Sequence, residues 1–330
     1  MVKKSAVLLI IVLLAIIFQI IFNNKELLNI YSTREEELLK DVVAEFTKKT
    51  GVKVHVFYGD TLPLLTCNKK NAKKNINAAD LLISSNNIIM ALLANKSMLQ
   101  PIRIDNIVEQ KWIPISKNPQ LIVYIKDRME LGNRIENYED LSNVKWHNRI
   151  IISESKEANN YSLLTFLIAH FGQEYAKIWL SGLINNLAHE PFPNEQDQLK
   201  ALISKKADIA VISCSILAKL LQKDEKISNK IKVVFPNQQN YGLHTNFSGI
   251  GLFKTAKNKN NALKFIQYII TKDGQKLYAI KNNEYPVNND TPLSPLLQNW
   301  SGFKEDTKTN DSLIYYARDA LKMANTVGWR

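Results

Sequence analysis

The stretch NIYSTREEELLKDVVAEF (residues 29–46) contains one complete step from strand to helix. An apolar run ends at Tyr31. Beyond Ser32 and Thr33 the apolar residues change period, so that Leu38, Leu39, Val42, Val43 and Phe46 share one face of a helix over 34–49, with Gly51 as its stop. Three carboxylates, Glu35, Glu36 and Glu37, crowd the first turn. Ser32 and Thr33 each stand three residues ahead of a glutamate, which is capping-box spacing, and acidic residues there complement the helix dipole. The alternative is that Glu35 and Glu36 are oxygen ligands for a cation, two charges overriding the preference of a helix N-terminus for anions.

The same alternation repeats along the chain. Short apolar or alternating runs at 52–60, 80–84, 120–127, 149–155, 208–214, 231–237 and 247–254 read as strands. Helical periods fall at 86–99, 160–172, 198–207, 215–223 and 259–271. This order predicts an α/β chain with mainly parallel sheets. At 330 residues the chain exceeds the usual domain of roughly 100–200 residues, so two lobes with a cleft between them are expected. Ligands of open α/β sheets sit at the carboxyl ends of strands, which directs attention to the residues after Tyr31, Ile83, Ile152 and Ile212.

Composition narrows the classes. Hydrophobic residues make up 45% and charged residues 22%, enough for a core in each lobe. The net charge is +12, but the densest basic cluster, NKKNAKK (68–74), lacks interleaved aromatics and reads as a solvated face, so no nucleic-acid partner is expected. The two cysteines, Cys67 and Cys214, lie far apart without zinc spacing; a disulfide between them is allowed, not implied. Lys3 and Lys4 precede an apolar run over 6–22 broken only by Gln19, the pattern of an exported chain. No small-x-small cleavage site follows, so residues 1–24 are either a signal peptide or an inner-membrane anchor, with the remainder outside the cytoplasm. No nucleophile elbow, HExxH, P-loop or GxGxxG occurs, and no enzyme activity is expected.

In its order of segments the chain resembles the periplasmic ferric-iron-binding proteins of ABC importers. The likeness is densest in FPNQQNYGLHTNFSGIGL (235–252), NALKFIQYI (261–269), YPVN (285–288) and VGWR (327–330), and extends to YEDLSNVKWHNRIII (138–152) and KADIAVIS (206–213). The resemblance implies a type II bilobed binding protein whose lobes close on Fe(III) and deliver it to a permease and its ATPase, as a monomer in the periplasm. The implied lobes are 27–120 plus 245–285 and 121–244, with 286–330 packing back on them.

The family's ligand positions are altered here. Its His-Tyr pair after an arginine falls on Glu35 and Glu36, behind Arg34. An acid position falls on Ser85 or Asn86, arginine positions on Asn118 and Gln120, one tyrosine on Asn159, and a tyrosine pair on Ser215 and Ile216. Fe(III) prefers hard oxygen ligands. The expectation is therefore a rebuilt metal site of Glu35, Glu36 and Tyr161, in a cleft lined by Arg34, Ser85, Asn86, Asn118, Asn159, His189, Cys214 and Ser215. Ser215 also reads as a helix cap, Cys214 as either core or a soft ligand, His189 as either ligand or loop, His244 as structural, and Tyr315-Tyr316 as packing. The alternatives are a different solute, an iron chelate in place of bare iron, or an anchored envelope protein that keeps the fold without a ligand.

Overall fold

The computed structural model describes residues 27–60, 64, 74–104, 109–130, 134–155 and 157–329. The apolar segment 1–24, Cys67 and most of the basic cluster 68–74 lie outside the described residues. β1 (Leu27–Ser32) runs parallel to β2 (Lys53–Tyr58) on one side and to β3 (Leu81–Ser84) on the other. Between β1 and β2, α1 (Lys40–Thr50) buries Val42 and Phe46 and ends at Gly51, whose φ of 74° places it in the left-handed region. The helix begins later than its periodicity suggests, because residues Glu36–Leu38 form a 3-10 turn. The expected capping boxes do not form. Ser32 Oγ instead accepts the N–H of Arg34 at 2.9 Å, and Thr33 Oγ1 donates to Ser84 Oγ at 3.0 Å.

α2 (Lys74–Ala78), α3 (Asn87–Asn95) and the short β4 (Leu99–Gln100) lead to β5 (Trp112–Ile125), the longest strand of the sheet. Its part from Gln120 onward was legible; its start was not, because Pro114 and Pro119 lack the N–H a strand needs. The strand tolerates Pro114 by shifting register between Pro114 and Ser116. Beyond it come β6 (Ile150–Ile151), α4 (Ala158–Phe171) and α5 (Gln173–Asn185). Only Gly172, at φ 83°, separates these two helices, and α5 buries Ala176, Trp179, Leu180 and Leu183. α6 (Glu195–Ile203), β7 (Ile209–Ser213), α7 (Cys214–Lys223), β8 (Ile231–Val234) and β9 (Thr245–Phe253) follow, then α8 (Lys259–Ile269), α9 (Lys272–Tyr278), α10 (Pro295–Asn299) and α11 (Lys308–Val327).

The sheet runs β2-β1-β3-β9-β5-β7-β6, with β4 beside β9 and β8 beside β5. It is mixed rather than mainly parallel: β9 and β5 run antiparallel to every strand they pair with. Those two strands join the halves. The first part of β5 pairs with β9, and its second part, from Gln120, pairs with β7 and β8. One apolar core gathers Leu28, Ile30, Val42, Phe46 and Phe265. A second, larger core gathers Trp146, Phe166 and Trp179, and takes in Ile88 and Ala91 from α3 and Ala320, Met323 and Ala324 from α11. The C-terminal helix thus packs on α4 and α5 and also reaches α3. Of the Tyr315-Tyr316 pair only Tyr316 packs; Tyr315 is 76% exposed, since neighbouring residues on a helix cannot share its buried face.

Phe46 anchors the first core, edge-to-face on Phe265 with ring centroids 5.0 Å apart. Phe46→Ala should lower unfolding free energy by about 3–5 kcal/mol, read from a urea titration as a lower midpoint at unchanged slope.

Candidate functional site at the crossing strands

Where β5 and β9 cross between the halves, one face of the ribbon is polar at three successive rungs. Ser116 stands opposite Ser248, Asn118 opposite Asn246, and the Gln120 N–H donates to the His244 carbonyl at 3.0 Å. Side chains two apart on a strand share a face, as do directly opposed ones, so these six residues form a polar floor.

The first rung holds a charge pair. Arg34 Nη2 donates to Glu284 Oε1 at 2.8 Å and Nη1 to Oε2 at 3.1 Å; Nη1 also donates to Ser248 Oγ, and Ser116 Oγ donates to Glu284. Burial by itself would depress the guanidinium's pKa, but the Glu284 carboxylate outweighs it and the net shift is upward. Arg34 was expected on the cleft wall. It is only 5% exposed, and both of its terminal nitrogens donate to Glu284, a partner 250 positions away.

The second rung fastens both halves. The Asn118 side chain accepts the Ser215 N–H at 3.1 Å and donates to Ser215 Oγ at 2.9 Å. Ser215 is therefore not the cap of α7; Ser213 occupies that position, and its hydroxyl turns to Glu195 instead. Asn246 Nδ2 donates to the Ser85 carbonyl at 2.8 Å and to Asn159 Oδ1 at 2.9 Å. Asn159 Nδ2 in turn donates to Glu195 Oε2 at 3.2 Å, and the Ser213 N–H reaches Oε1 at 3.0 Å. The Gln198 amide pins α6 to the carbonyls of Ile151 and Val211, which fixes Glu195 under the seam. Burial pushes the Glu195 carboxyl up to about 7; hydrogen bonds from Ser213 and Asn159 pull the other way, and Glu157 adds to the rise. On the opposite side Asn86 caps α3, accepting the N–H groups of Ile88 and Ile89. At the third rung, burial drives His244 down to about 4, so the imidazole is neutral, with Nε2 against Ser162 Oγ at 3.0 Å.

Glu35 and Glu36 are exposed at the carboxyl end of β1, beside this floor. Tyr58, at the end of β2, was missed in the sequence although the strand-end rule points to it. Its phenol is pushed up by burial and by Glu36. Tyr161 is buried in the larger core, near Arg318 and Asp319 of α11, and burial pushes its phenol up to about 12. The structure therefore does not gather Tyr161 with the two glutamates, because α11 covers the start of α4. Among the described residues no group of three or more His, Cys, Asp or Glu side chains is placed to hold a metal. For two residues read either way in the sequence, the structure shows the non-ligand placement. Cys214 is a fully buried free thiol held protonated by burial. His189 lies on an exposed loop, stacked on Phe192 beside Pro191 and Gly328.

Two halves joined by crossing strands, with a polar floor between them, are the architecture of a binding protein, and comparison with known families decides which. The sequence pattern of the family described as bacterial extracellular solute-binding protein matches residues 28–279. The chain belongs to this family. The iron uptake protein A1 of Synechocystis is 30% identical to this binding protein over 317 residues, covering 92% of this chain and 87% of that one. Among solved structures, a Trichodesmium protein in complex with iron and citrate ligands is 30% identical, with a TM-score of 0.80 over 92% of this chain and all of that one. A ferric binding protein from Campylobacter jejuni is 28% identical with a TM-score of 0.82, over the same shares. The binding protein is thus a type II bilobed α/β fold, like these neighbours.

Two measurements test the floor. Glu284→Ala strands the buried Arg34 charge and should cost about 3–5 kcal/mol in chemical denaturation. Glu195 gives a pH signature. Its folded pKa of about 7 exceeds the ordinary 4.5, so between those values the folded protein holds a proton that the unfolded chain has lost. Its contribution to stability is then largest below pH 4.5 and falls as pH rises to about 7. Glu195→Gln should remove this slope, a difference on the order of 3 kcal/mol between the two ends of the window, measured as wild type minus variant.

Proposed function

We propose that this binding protein is the extracytoplasmic component of an ABC importer and carries ferric iron to a membrane permease and its ATPase. The observation that carries this reading is the combination of full-length likeness to iron uptake and ferric-binding proteins with a two-lobed fold hinged on β5 and β9. The protein acts as a carrier, not a catalyst, and works as a monomer in the periplasm. Segment 1–24 serves as export signal or inner-membrane anchor; among the described residues no helix is long and apolar enough to cross a membrane.

Lobes 27–120 plus 245–285 and 121–244 close by bending at the crossing strands, with 286–330 docked on them. Glu35 and Glu36 supply the hard anionic oxygens at the rim, in place of a His-Tyr pair. Tyr161, packed under α11, is left out of this ligand set, so no phenolate is among the ligands. A second reading is supported by the make-up of the seam. Asn86, Asn118, Asn159 and Ser215 place amides and hydroxyls at the N-termini of α3, α4 and α7, groups that suit an anionic iron chelate or another anionic solute.

The test is a titration of the chain from residue 25 onward with Fe(III) supplied as a weak chelate, followed by metal analysis and thermal melting. The lead reading expects one iron per chain and a stabilisation of about 2.7 kcal/mol at a hundredfold excess over Kd, both lost in a Glu35→Ala/Glu36→Ala variant. It also expects a colourless complex. Stabilisation by an intact ferric chelate or a small anion, with none from the metal, would select the second reading.

A further inference from the structure

The first lobe has a second end that the cleft does not use. Glu35 and Glu36 follow the carboxyl end of β1, whereas its amino end, at Leu27, is gathered against the turn after β9. Asp80, fully buried ahead of β3, builds that turn. Its carboxylate accepts the N–H of Asn29 at 2.9 Å, the N–H groups of Lys257 and Asn258 at 2.8 and 2.9 Å, and the Asn258 amide at 3.0 Å. Asn261 Nδ2 donates to the Leu27 carbonyl at 3.0 Å, which holds the start of α8 beside the start of β1. Lys53 stands opposite Leu27 in register. Lys53, Lys254, Lys257 and Lys259 are thereby left exposed around the amino end of β1. Among the described residues none of these four is paired with a carboxylate, and Lys48 and Lys49, at the end of α1, share Glu45 and Asp273. The pole is basic, and the acids within it are already engaged.

We propose that this pole is a docking face for an anionic membrane surface, with Lys53, Lys254, Lys257 and Lys259 as its contacts to headgroup phosphates. Two observations select a bilayer over an acidic protein. Protein interfaces are built around apolar anchors, and none of the large apolar side chains exposed among the described residues lies at this pole. The second observation is reach. Segment 1–24 ends three peptide steps before Leu27, a span of at most about 11 Å. Where that segment stays in the bilayer, this pole is the part of the fold that must lie against it. One apolar segment and one polybasic face are the two signals that together give stable attachment. The docking rests on the extracytoplasmic placement proposed above, not on the cargo. Because Glu35 and Glu36 lie at the opposite end of β1, a docked protein presents the rim of its cleft away from the bilayer.

The test uses the full chain without cargo, mixed with nanodiscs of phosphatidylcholine alone or with added phosphatidylglycerol. The acetylation rate of each lysine is read by mass spectrometry. Each lysine at an anionic surface contributes roughly fivefold in affinity. Lys53, Lys254, Lys257 and Lys259 should therefore react several-fold more slowly on anionic than on neutral discs, and high salt should abolish the difference. Lys177 and Lys226, exposed on the second lobe, should react alike on both. A Lys53→Gln/Lys254→Gln/Lys257→Gln/Lys259→Gln variant, altered only at the surface, should keep its melting temperature and lose the protection of Lys48 and Lys49. Retention on neutral discs reports the anchor separately: a chain that washes off them yet shows the same footprint on anionic discs keeps the face and loses the anchor. Equal rates on both discs, equal slowing of Lys177 and Lys226, protection that survives in the variant, or the same protection by soluble polyglutamate would each overturn the assignment.

Discussion

Everything in this molecule hangs on one strand that serves two sheets at once. β5 is 14 residues long, and at roughly 3.3 Å per residue it spans about 45 Å. It therefore reaches from the parallel strands of the first lobe into the second. Such a strand cannot satisfy its backbone with one neighbour, so it changes partner at Gln120, from β9 to β7 and β8. Through this change of partner the two halves share one continuous backbone.

The polar face of this ribbon lies where an apolar face would otherwise be buried between the lobes. Burying polar groups is unfavourable unless each finds a partner. The solution is local and specific. Ser116 and Ser248 embrace the Arg34–Glu284 pair, Asn118 ties the start of α7, and Asn246 ties Ser85 to Asn159. A buried ion pair adds little net stability compared with an apolar replacement, but it is intolerant of losing one member. Its contribution here is positional. It locks the turn after β1, and with it Glu35 and Glu36, to the crossing strands.

Much of the fold was legible because it rests on local pattern. The period change after Tyr31, the alternation in β2 and the apolar run of β7 are visible in order along the chain, and so is the left-handed stop at Gly51. The failures have equally local causes. The prolines at 114 and 119 hid the first part of β5, and with it the antiparallel centre of the sheet. The capping boxes at Ser32 and Thr33 were outcompeted, because a hydroxyl beside a strand end found nearer partners in Arg34 and Ser84. Helix α5 was missed because a single glycine is all that divides it from α4.

The sequence by itself determined the class of protein: its α/β order and its two lobes. These follow from periodicity and from residue identity, which need no third dimension. Only the tertiary structure decided what each polar residue does. Arg34 meets Glu284 across 250 positions, Asn246 meets Ser85 across 161, and Glu195 acquires its raised pKa from a burial that no local pattern encodes. Desolvation and long-range hydrogen bonding depend on which segments the fold brings together, so the chemistry of the seam exists only once both lobes have closed around it.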